Sequence, residues 1–238
     1  MQLYLKKMAT KLDDITYEVL SEEFSEYDLS FKIIVVGDSG VGKSCLTMKG
    51  TKNHFEDCYS PTVGFEFFTF NIRINDKNIK LQIWDTCGQE AYRSLITSFY
   101  RNASLAILVY SIDNQNSYNN IEAWLNEIKS QSNPDTKTFL IGNKLDLENQ
   151  RRIPKDIAQH FCKDHGFNYF EETSARTGVN AQKVFINAAK ELYLTHLEYK
   201  DRSSRLGSLE PNLYQPNINN NLILEDDDDK PKKRRKCC

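Results

Sequence analysis

Residues 31–44 read FKIIVVGDSGVGKS, and this stretch decides the fold. Its first six residues form an apolar run with the length of a buried strand. The remainder matches GxxxxGK[ST], a phosphate-binding loop whose glycines let backbone N–H groups curl around a polyphosphate. Lys43 would neutralise phosphate charge, and the Ser44 hydroxyl would bind Mg²⁺. Because the match follows a strand and precedes a helical segment, an accidental glycine-rich turn is the weaker interpretation.

Strand and helix patterns alternate around this loop. The further strand patterns lie at residues 65–74, 78–84, 105–110, 139–142 and 169–170. The first two of these should pair as a hairpin around residues 75–77. The helical patterns lie at residues 121–128, 154–165 and 184–192. This alternation predicts an α/β fold with a mostly parallel six-stranded sheet, helices on both faces, and a ligand beyond the carboxyl ends of the strands.

Composition divides the chain into three parts and excludes several protein classes. With 31 Lys+Arg, 33 Asp+Glu and 39% hydrophobic residues, the chain is neither collagen-like nor disordered throughout. Its six cysteines include no CxxC pair, and no signal peptide precedes them, so a reduced intracellular protein is expected. We expect an N-terminal extension at 1–30, one domain at 31–197 and a disordered tail at 198–238.

The extension has a helical pattern of its own. Its apolar residues follow spacings typical of one helix face and are Leu5, Met8, Leu12, Ile15 and Val19. Fewer than three heptads do not form a stable helix alone in water, so this helix would pack on the domain or on a partner. The alternative is a frayed tail with a chance pattern.

A second motif, Asn143-Lys144-Leu145-Asp146, follows the strand pattern at 139–142. The Asp146 carboxylate can accept both the N1–H and the exocyclic amine of guanine, whereas adenine offers no such donor pair. Asn143 would tie the strand end to the phosphate-binding loop, and the Lys144 stem would cover the base. Residues 172–175 read ETSA, and the Ala175 N–H would donate to guanine O6. The alternative for ETSA is a turn that starts a helix, since Thr and Ser are natural caps.

The stretch WDTCGQE at residues 84–90 carries the chemistry of hydrolysis. Asp85 would hold Mg²⁺ through water, the Gly88 N–H would reach a γ-phosphate, and Gln89 would orient the attacking water as the catalytic residue. Thr62 is the second candidate Mg²⁺ hydroxyl.

Together these motifs resemble the Ras-like small GTPases, and within them the Rab group, over residues 31–197. The Rab-type signatures are VGFEF at 63–67, KLQIW at 80–84, AYRSLI at 91–96, FYRNA at 99–103 and LVYSID at 108–113. Only KLQIW keeps the usual family spelling throughout. Phe65, Ser111 and Cys87 replace the usual valine, aspartate and alanine. Cys87 is small enough to fit, so we expect that hydrolysis is retained.

The resemblance implies a P-loop NTPase small G-domain that binds GDP or GTP with Mg²⁺ and hydrolyses GTP slowly. Phe55 would lean on the base or ribose, although a core position fits it nearly as well. Further nucleotide contacts are expected from Ser39, Gly40, Val41, Gly42, Cys45, Ser174 and Arg176. By the same resemblance, loops near 55–65 and 86–98 would order on GTP. Phe65, Phe67, Trp84 and Tyr92 would then form the contact face.

The resemblance also implies partners: an exchange factor, a GTPase-activating protein, a Rab escort protein, a dissociation inhibitor and vesicle-trafficking effectors. We expect a monomer that binds an anionic membrane surface and no nucleic acid. Three rival interpretations fit the motifs less well. They are a nuclear transport-type GTPase, a scaffold that only holds nucleotide, and an adenine-using phosphotransferase.

The tail completes the resemblance. Five acids at 225–229 precede six cations within 230–236, and the chain ends with Cys237-Cys238, which resembles a double geranylgeranylation site. One lipid chain holds a membrane only marginally, whereas two signals hold it stably, and each nearby cation adds about 1 kcal/mol. We therefore expect the cytoplasmic face of an intracellular membrane, with cycling through the cytosol. The run PKKRRK at 231–236 also fits a nuclear localisation signal or a solubilising end.

Overall fold

The computed structural model describes residues 12, 15–56, 64–87 and 99–206. The strands are β1 Tyr17–Val19, β2 Leu29–Val36, β3 Phe65–Ile74, β4 Lys77–Thr86, β5 Leu105–Ser111, β6 Lys137–Asn143 and β7 Tyr169–Glu172. The α-helices are α1 Lys43–Lys52, α2 Gln115–Asn119, α3 Ile121–Gln131, α4 Lys155–Asp164 and α5 Ala181–Leu206. A 3₁₀ helix spans Leu145–Gln150.

The strands form one sheet in the order β1-β3-β4-β2-β5-β6-β7. β2 pairs in parallel with β4 and β5, and the parallel pairing continues through β6 to β7. The predicted hairpin is confirmed, because β3 and β4 pair antiparallel from Phe65↔Thr86 to Ile74↔Lys77. At its turn Asn75 has a φ of 53°, a left-handed conformation that asparagine tolerates. The predicted α/β architecture is thus confirmed, with a seventh strand added at one edge.

Helices cover both faces of the sheet, and β2 divides the core between them. Its residues Phe31, Ile33 and Val35 pack with Leu46 of α1 and Phe185 of α5 in one buried cluster. Its alternate residues pack into a second cluster with α3 and α4. The predicted apolar stripe of α3 is buried in that second cluster. A strand buried on both faces is what the continuous apolar run of β2 predicts.

The predicted N-terminal helix is wrong at residues 17–19, which form the edge strand β1. Tyr17, Glu18 and Val19 pair antiparallel with Ile74, Arg73 and Ile72 of β3. Residues 17–19 form backbone hydrogen bonds with the edge of β3. This tertiary pairing is more stable than a helix of fewer than three heptads, which is marginal in water. Leu12 is buried and Ile15 packs against the first cluster. Leu5 and Met8 lie outside the described residues.

The end of the domain also differs from the expectation. Residues 198–206 were predicted to belong to the disordered tail, but α5 continues to Leu206. Glu198 and Arg202 stand four residues apart, a spacing that favours a helix on an exposed face. Within the described ranges, every helix is too short or too polar to cross a membrane. The acidic run, the cations, Cys237 and Cys238 lie outside those ranges, and the division at residues 30 and 197 stays a prediction.

Candidate nucleotide-binding site

The loop between β2 and α1 is shaped by its glycines. Gly37, Gly40 and Gly42 have φ values of 140°, 78° and 89°, a region that side chains rarely adopt. A Cβ on Gly37 would lie 2.2 Å from the Val109 carbonyl oxygen, and one on Gly42 would lie 2.6 Å from Asn143 Nδ2. Helix α1 begins directly after Gly42, so its positive N-terminal end faces the loop. Backbone and packing therefore both require glycine in a loop suited to an anion.

Lys43 spans this loop with its ammonium group. Lys43 Nζ donates to the carbonyl oxygens of Gly37 and Asp38, both at 2.9 Å. The side chain is buried, and burial lowers the pKa of Lys43, while the carboxylates of Asp85 and then Asp38 oppose that shift. The cation is thus fixed at the loop before any ligand binds, as a phosphate-neutralising lysine requires.

Ser44 and Asp85 form a buried pair beside the lysine. Ser44 Oγ donates a short hydrogen bond to Asp85 Oδ2. Asp85 is fully buried, and burial raises its pKa to about 7, although the Ser44 hydrogen bond and the Lys43 charge act in the opposite direction. Its other oxygen, Oδ1, has no hydrogen-bond partner among the described residues.

This pair fits a magnesium ion. A buried carboxylate oxygen without a partner is costly, and a hydroxyl and a carboxylate are the hard oxygen ligands that Mg²⁺ prefers. The described residues hold no cluster of three His, Cys, Asp or Glu side chains suited to a metal. Mg²⁺ in nucleotide sites needs only one or two protein ligands, since phosphates and waters supply the others. Ser44 and Asp85 would therefore hold it here.

Asn143 joins the phosphate-binding loop to the ETSA segment. Its Nδ2 donates to the carbonyl oxygens of Val41 at 2.9 Å and Gly42 at 3.3 Å. Its Oδ1 accepts from Thr173 Oγ1 at 3.1 Å and from the Ala175 N–H at 3.2 Å. The tie expected from Asn143 is confirmed. The Ala175 N–H is engaged by Asn143, so its donation to guanine O6 stays a prediction.

Asp146 lies where β6 has ended and the 3₁₀ helix begins. Its side chain is exposed, and Ser174 Oγ donates to its Oδ1 at 2.5 Å. The preceding Lys144 takes a left-handed conformation with a φ of 68°, which turns the chain at this point. Asp146 is thus bonded to the ETSA segment, which Asn143 joins to the phosphate-binding loop.

A sequence model of the Ras family matches residues 32–194. The chain belongs to the Ras family. It is therefore a small GTPase in the general sense of that family, whose members bind GTP and GDP with Mg²⁺ and hydrolyse GTP. The match runs from β2 into α5 and includes the loop, Asp85, Asn143, Asp146 and the ETSA segment.

Sequence reasoning missed Arg151, which supports the base side of the Ras-family site. Its Nη1 and Nη2 donate to the two carboxylate oxygens of the buried Glu172 at 2.7 and 3.0 Å. Its Nε and Nη2 donate to Glu148 at 2.8 and 2.6 Å. Glu148 lies in the same 3₁₀ helix as Asp146, and Glu172 directly precedes Thr173. Of the residues in this network, only Glu172 belongs to a motif that the sequence analysis identified, the ETSA segment.

The other predicted site residues of this Ras-family domain lie partly within and partly outside the described residues. Ser39 and Gly40 are exposed at the tip of the loop, and Arg176 is exposed after the ETSA segment. Cys45 is half-buried in α1, and burial raises the pKa of its thiol. Phe55 is half-buried against the first core cluster, which supports its core interpretation. Thr62, Gly88, Gln89 and Tyr92 lie outside the described residues, so their roles stay predictions.

Proposed function

We propose that this Ras-family protein is a Rab-like, membrane-anchored GTP switch in vesicle-mediated transport. The observation that carries the proposal is the buried pair formed by Ser44 of α1 and Asp85 near the end of β4. Directly beyond it, the Cys87 N–H donates to the Gly64 carbonyl oxygen at 3.0 Å. Gly64 and Cys87 belong to the two segments expected to respond to the γ-phosphate, near 55–65 and 86–98, so these two residues meet beside the candidate metal ligands.

A partly exposed aromatic cluster, formed by the β3–β4 hairpin and Phe99, supports contact with effectors. We call Phe65, Phe67, Trp84 and Phe99 the aromatic face. The Phe65 ring lies 5.3 Å from Trp84 and 4.6 Å from Phe99, and the Phe67 ring lies 5.0 Å from Trp84. Phe65 and Phe67 are 48% and 49% exposed. Adjacent large rings left open to water are typical of a protein-binding surface, and these lie next to the segments that GTP would order.

The membrane and partner assignments rest on the sequence. The cations at 230–236 and Cys237-Cys238 support a doubly prenylated anchor on the cytoplasmic face of an intracellular membrane, with cycling through the cytosol. Exchange factors and GTPase-activating proteins are partners of Ras-family GTPases in general. A Rab escort protein, a dissociation inhibitor and trafficking effectors follow from the Rab-type signatures.

Identification of the bound nucleotide tests the site itself. The protein is purified with Mg²⁺ and denatured, and the released molecules are identified by chromatography. We expect GDP with some GTP, and no nucleotide from a Lys43→Ala variant. Release of ATP or ADP, or of nothing, from the unaltered protein would overturn the proposal.

Hydrolysis tests the catalytic role of Gln89. A Gln89→Leu variant should retain its nucleotide, because the side chain is expected to touch only the attacking water. Its single-turnover rate of GTP hydrolysis should fall well below that of the unaltered protein. An unchanged rate would remove Gln89 from the mechanism.

Membrane fractionation tests the anchor. Replacing Cys237 and Cys238 by serine should move the protein from the membrane pellet to the cytosol. A second variant keeps both cysteines and replaces the cations at 230–236 by glutamine. It should remain lipid-modified but pellet less completely, because the electrostatic attraction is lost. A cysteine-free protein that still pellets would contradict a prenyl anchor.

A further inference from the structure

The only carboxylate within the phosphate-binding loop is Asp38. A negative charge in this loop is unexpected, because the loop is built to hold an anion. Its side chain is bound by two N–H donors from the neighbouring helix. Asn120 Nδ2 donates to Oδ2 at 2.7 Å, and Trp124 Nε1 donates to Oδ1 at 2.8 Å. Each oxygen thus has a donor that comes from α3 or its N-cap.

Asn120 lies at the junction of α2 and α3, where its backbone is helical with φ and ψ of −78° and −10°. Asn120 is the N-cap residue of α3, yet its side chain makes no capping hydrogen bond. Asn114, at the N-cap of α2, does cap its helix by accepting from the Ser117 N–H at 3.1 Å. An N-cap side chain is typically worth about 1 kcal/mol to a helix. The Asn120 side chain makes no such cap, and its amide donates to a loop residue 82 positions away in sequence.

Trp124 supplies its donor from a rigid position. It is 4% exposed and packs in the second core cluster, so its indole N–H is fixed in direction. A buried indole N–H needs an acceptor, and the Asp38 carboxylate provides it. Both donors therefore draw the carboxylate toward α3.

The position of that carboxylate matters because Lys43 belongs to the same loop. Lys43 Nζ donates to the main-chain oxygen of Asp38 at 2.9 Å. A released carboxylate would be attracted to the ammonium group. It would then compete with phosphate oxygens for the same cation.

We propose that Asn120 and Trp124 are positioning residues that hold the Asp38 carboxylate against α3 and so leave the Lys43 ammonium to nucleotide phosphates. The inference rests on the proposed nucleotide site and adds residues that no motif of the sequence marks. It also explains how a phosphate-binding loop tolerates an acid at its first variable position.

A double-mutant cycle tests this role. Asn120→Ala and Trp124→Phe are made alone and together with Asp38→Ala, and the Kd values for GDP and for a non-hydrolysable GTP analogue are measured with Mg²⁺. In the unaltered protein, we expect each substitution in α3 or its N-cap to raise the Kd about tenfold. In the Asp38→Ala background, the same substitution should change the Kd less than about twofold. Asn119→Ala is the matched control. This exposed neighbour accepts from Gln115 Nε2 instead, and its Kd should equal that of the unaltered protein.

Each outcome decides a separate point. Equal losses in the unaltered and the Asp38→Ala backgrounds would mean that α3 acts through packing alone, which would overturn the inference. Unchanged Kd values in the single variants would overturn it as well. Asn120 is exposed, so its variant keeps the test valid if thermal unfolding shows that Trp124→Phe is unstable. Failure of the unaltered protein to bind either nucleotide would overturn the proposed function. If the protein binds nucleotide but the double-mutant cycle shows no coupling to Asp38, only the positioning role is overturned.

Discussion

The two halves of the candidate cleft satisfy their buried charges in opposite ways. The base half contains Asp146, Glu172 and Arg151, and the metal half contains Ser44 and Asp85. In the base half, the fork of Arg151 donates to both oxygens of Glu172, which is 3% exposed. In the metal half, Asp85 is fully buried, and its Oδ1 has no hydrogen-bond partner among the described residues.

This difference shows in which half the protein itself supplies the partners of its buried carboxylate. A buried carboxylate with a bidentate guanidinium partner is held in place before any ligand arrives. A buried carboxylate with an unpartnered oxygen stores an unfavourable energy that a cation relieves. We infer that the base half is preorganised, whereas the metal half depends on its ligand. Removal of charge from the two halves should therefore change stability with opposite signs.

The largest expected effect comes from Arg151→Ala. Without the guanidinium, Glu172 becomes a buried charge without its cation, and the free energy of unfolding should fall by about 3–5 kcal/mol. Urea unfolding measures this loss. Adding Glu172→Gln to the same chain should recover part of it, because the uncompensated charge is then gone.

Arg152→Ala is the matched control for that substitution. Arg152 is the next residue and carries the same charge, but its side chain is exposed. Its free energy of unfolding should stay within about 0.5 kcal/mol of the unaltered value. Equal losses from the two arginines would show that net charge, and not the Glu172 contact, decides stability.

Asp146→Ala should mainly lower nucleotide affinity, whereas Arg151→Ala should mainly lower the free energy of unfolding. Asp146 is exposed, so the only expected cost to stability is the lost hydrogen bond from Ser174, about 1 kcal/mol in the free energy of unfolding. Hydrogen bonds to a charged group are worth about 1.5–3 kcal/mol, so GDP affinity should fall about 100-fold. The affinity for ADP should stay at its low level. Competition titration measures both, and an undiminished preference for GDP would show that Asp146 does not select the base.

The sequence predicts those parts of the cleft that short motifs encode. The glycines of the loop and the hairpin follow from residues a few positions apart, because local conformation limits what such residues can do. The Asn143 tie spans 102 positions, and it was predicted only because a short motif marks Asn143. The Arg151–Glu172 and Trp124–Asp38 contacts join residues 21 and 86 positions apart. Only the packed fold brings them together. The strand β1 was missed for the same reason, since its partner is the edge of β3.

Gly42→Ala tests the link between the two halves. The φ of Gly42 is 89°, and an added Cβ would lie 2.6 Å from Asn143 Nδ2, which is the atom that ties the base half to the loop. We expect a loss of about 2 kcal/mol in the free energy of unfolding, together with weaker binding of GDP.

Gly166→Ala separates backbone strain from the lost contact. Gly166 has a φ of 75°, and nothing lies within 4 Å of its would-be Cβ. This variant should lose about 1 kcal/mol from strain alone and keep its GDP affinity. If Gly42→Ala behaved identically in both measurements, the Asn143 tie would contribute nothing to the site.

The smallest expected effect has the opposite sign and comes from Asp85→Asn. At pH 8, without Mg²⁺ or nucleotide, the variant removes a buried charge but keeps an oxygen that can accept from Ser44. Its amide leaves a buried N–H group without a partner, which limits the gain in stability to about 1 kcal/mol. Nucleotide affinity should no longer increase when Mg²⁺ is added.

The pH dependence of this gain follows from the same burial. Burial raises the pKa of Asp85 from its ordinary 3.8 to about 7, so between these values the folded state binds more protons than the unfolded state. The stability of the unaltered protein should therefore fall as the pH rises through that range, and the advantage of the asparagine variant should be full only above about 7. Urea unfolding at pH 5 and pH 8 in EDTA measures it. A variant that is less stable at pH 8 would contradict the comparison, because both oxygens of Asp85 would then be held by the protein itself, as those of Glu172 are.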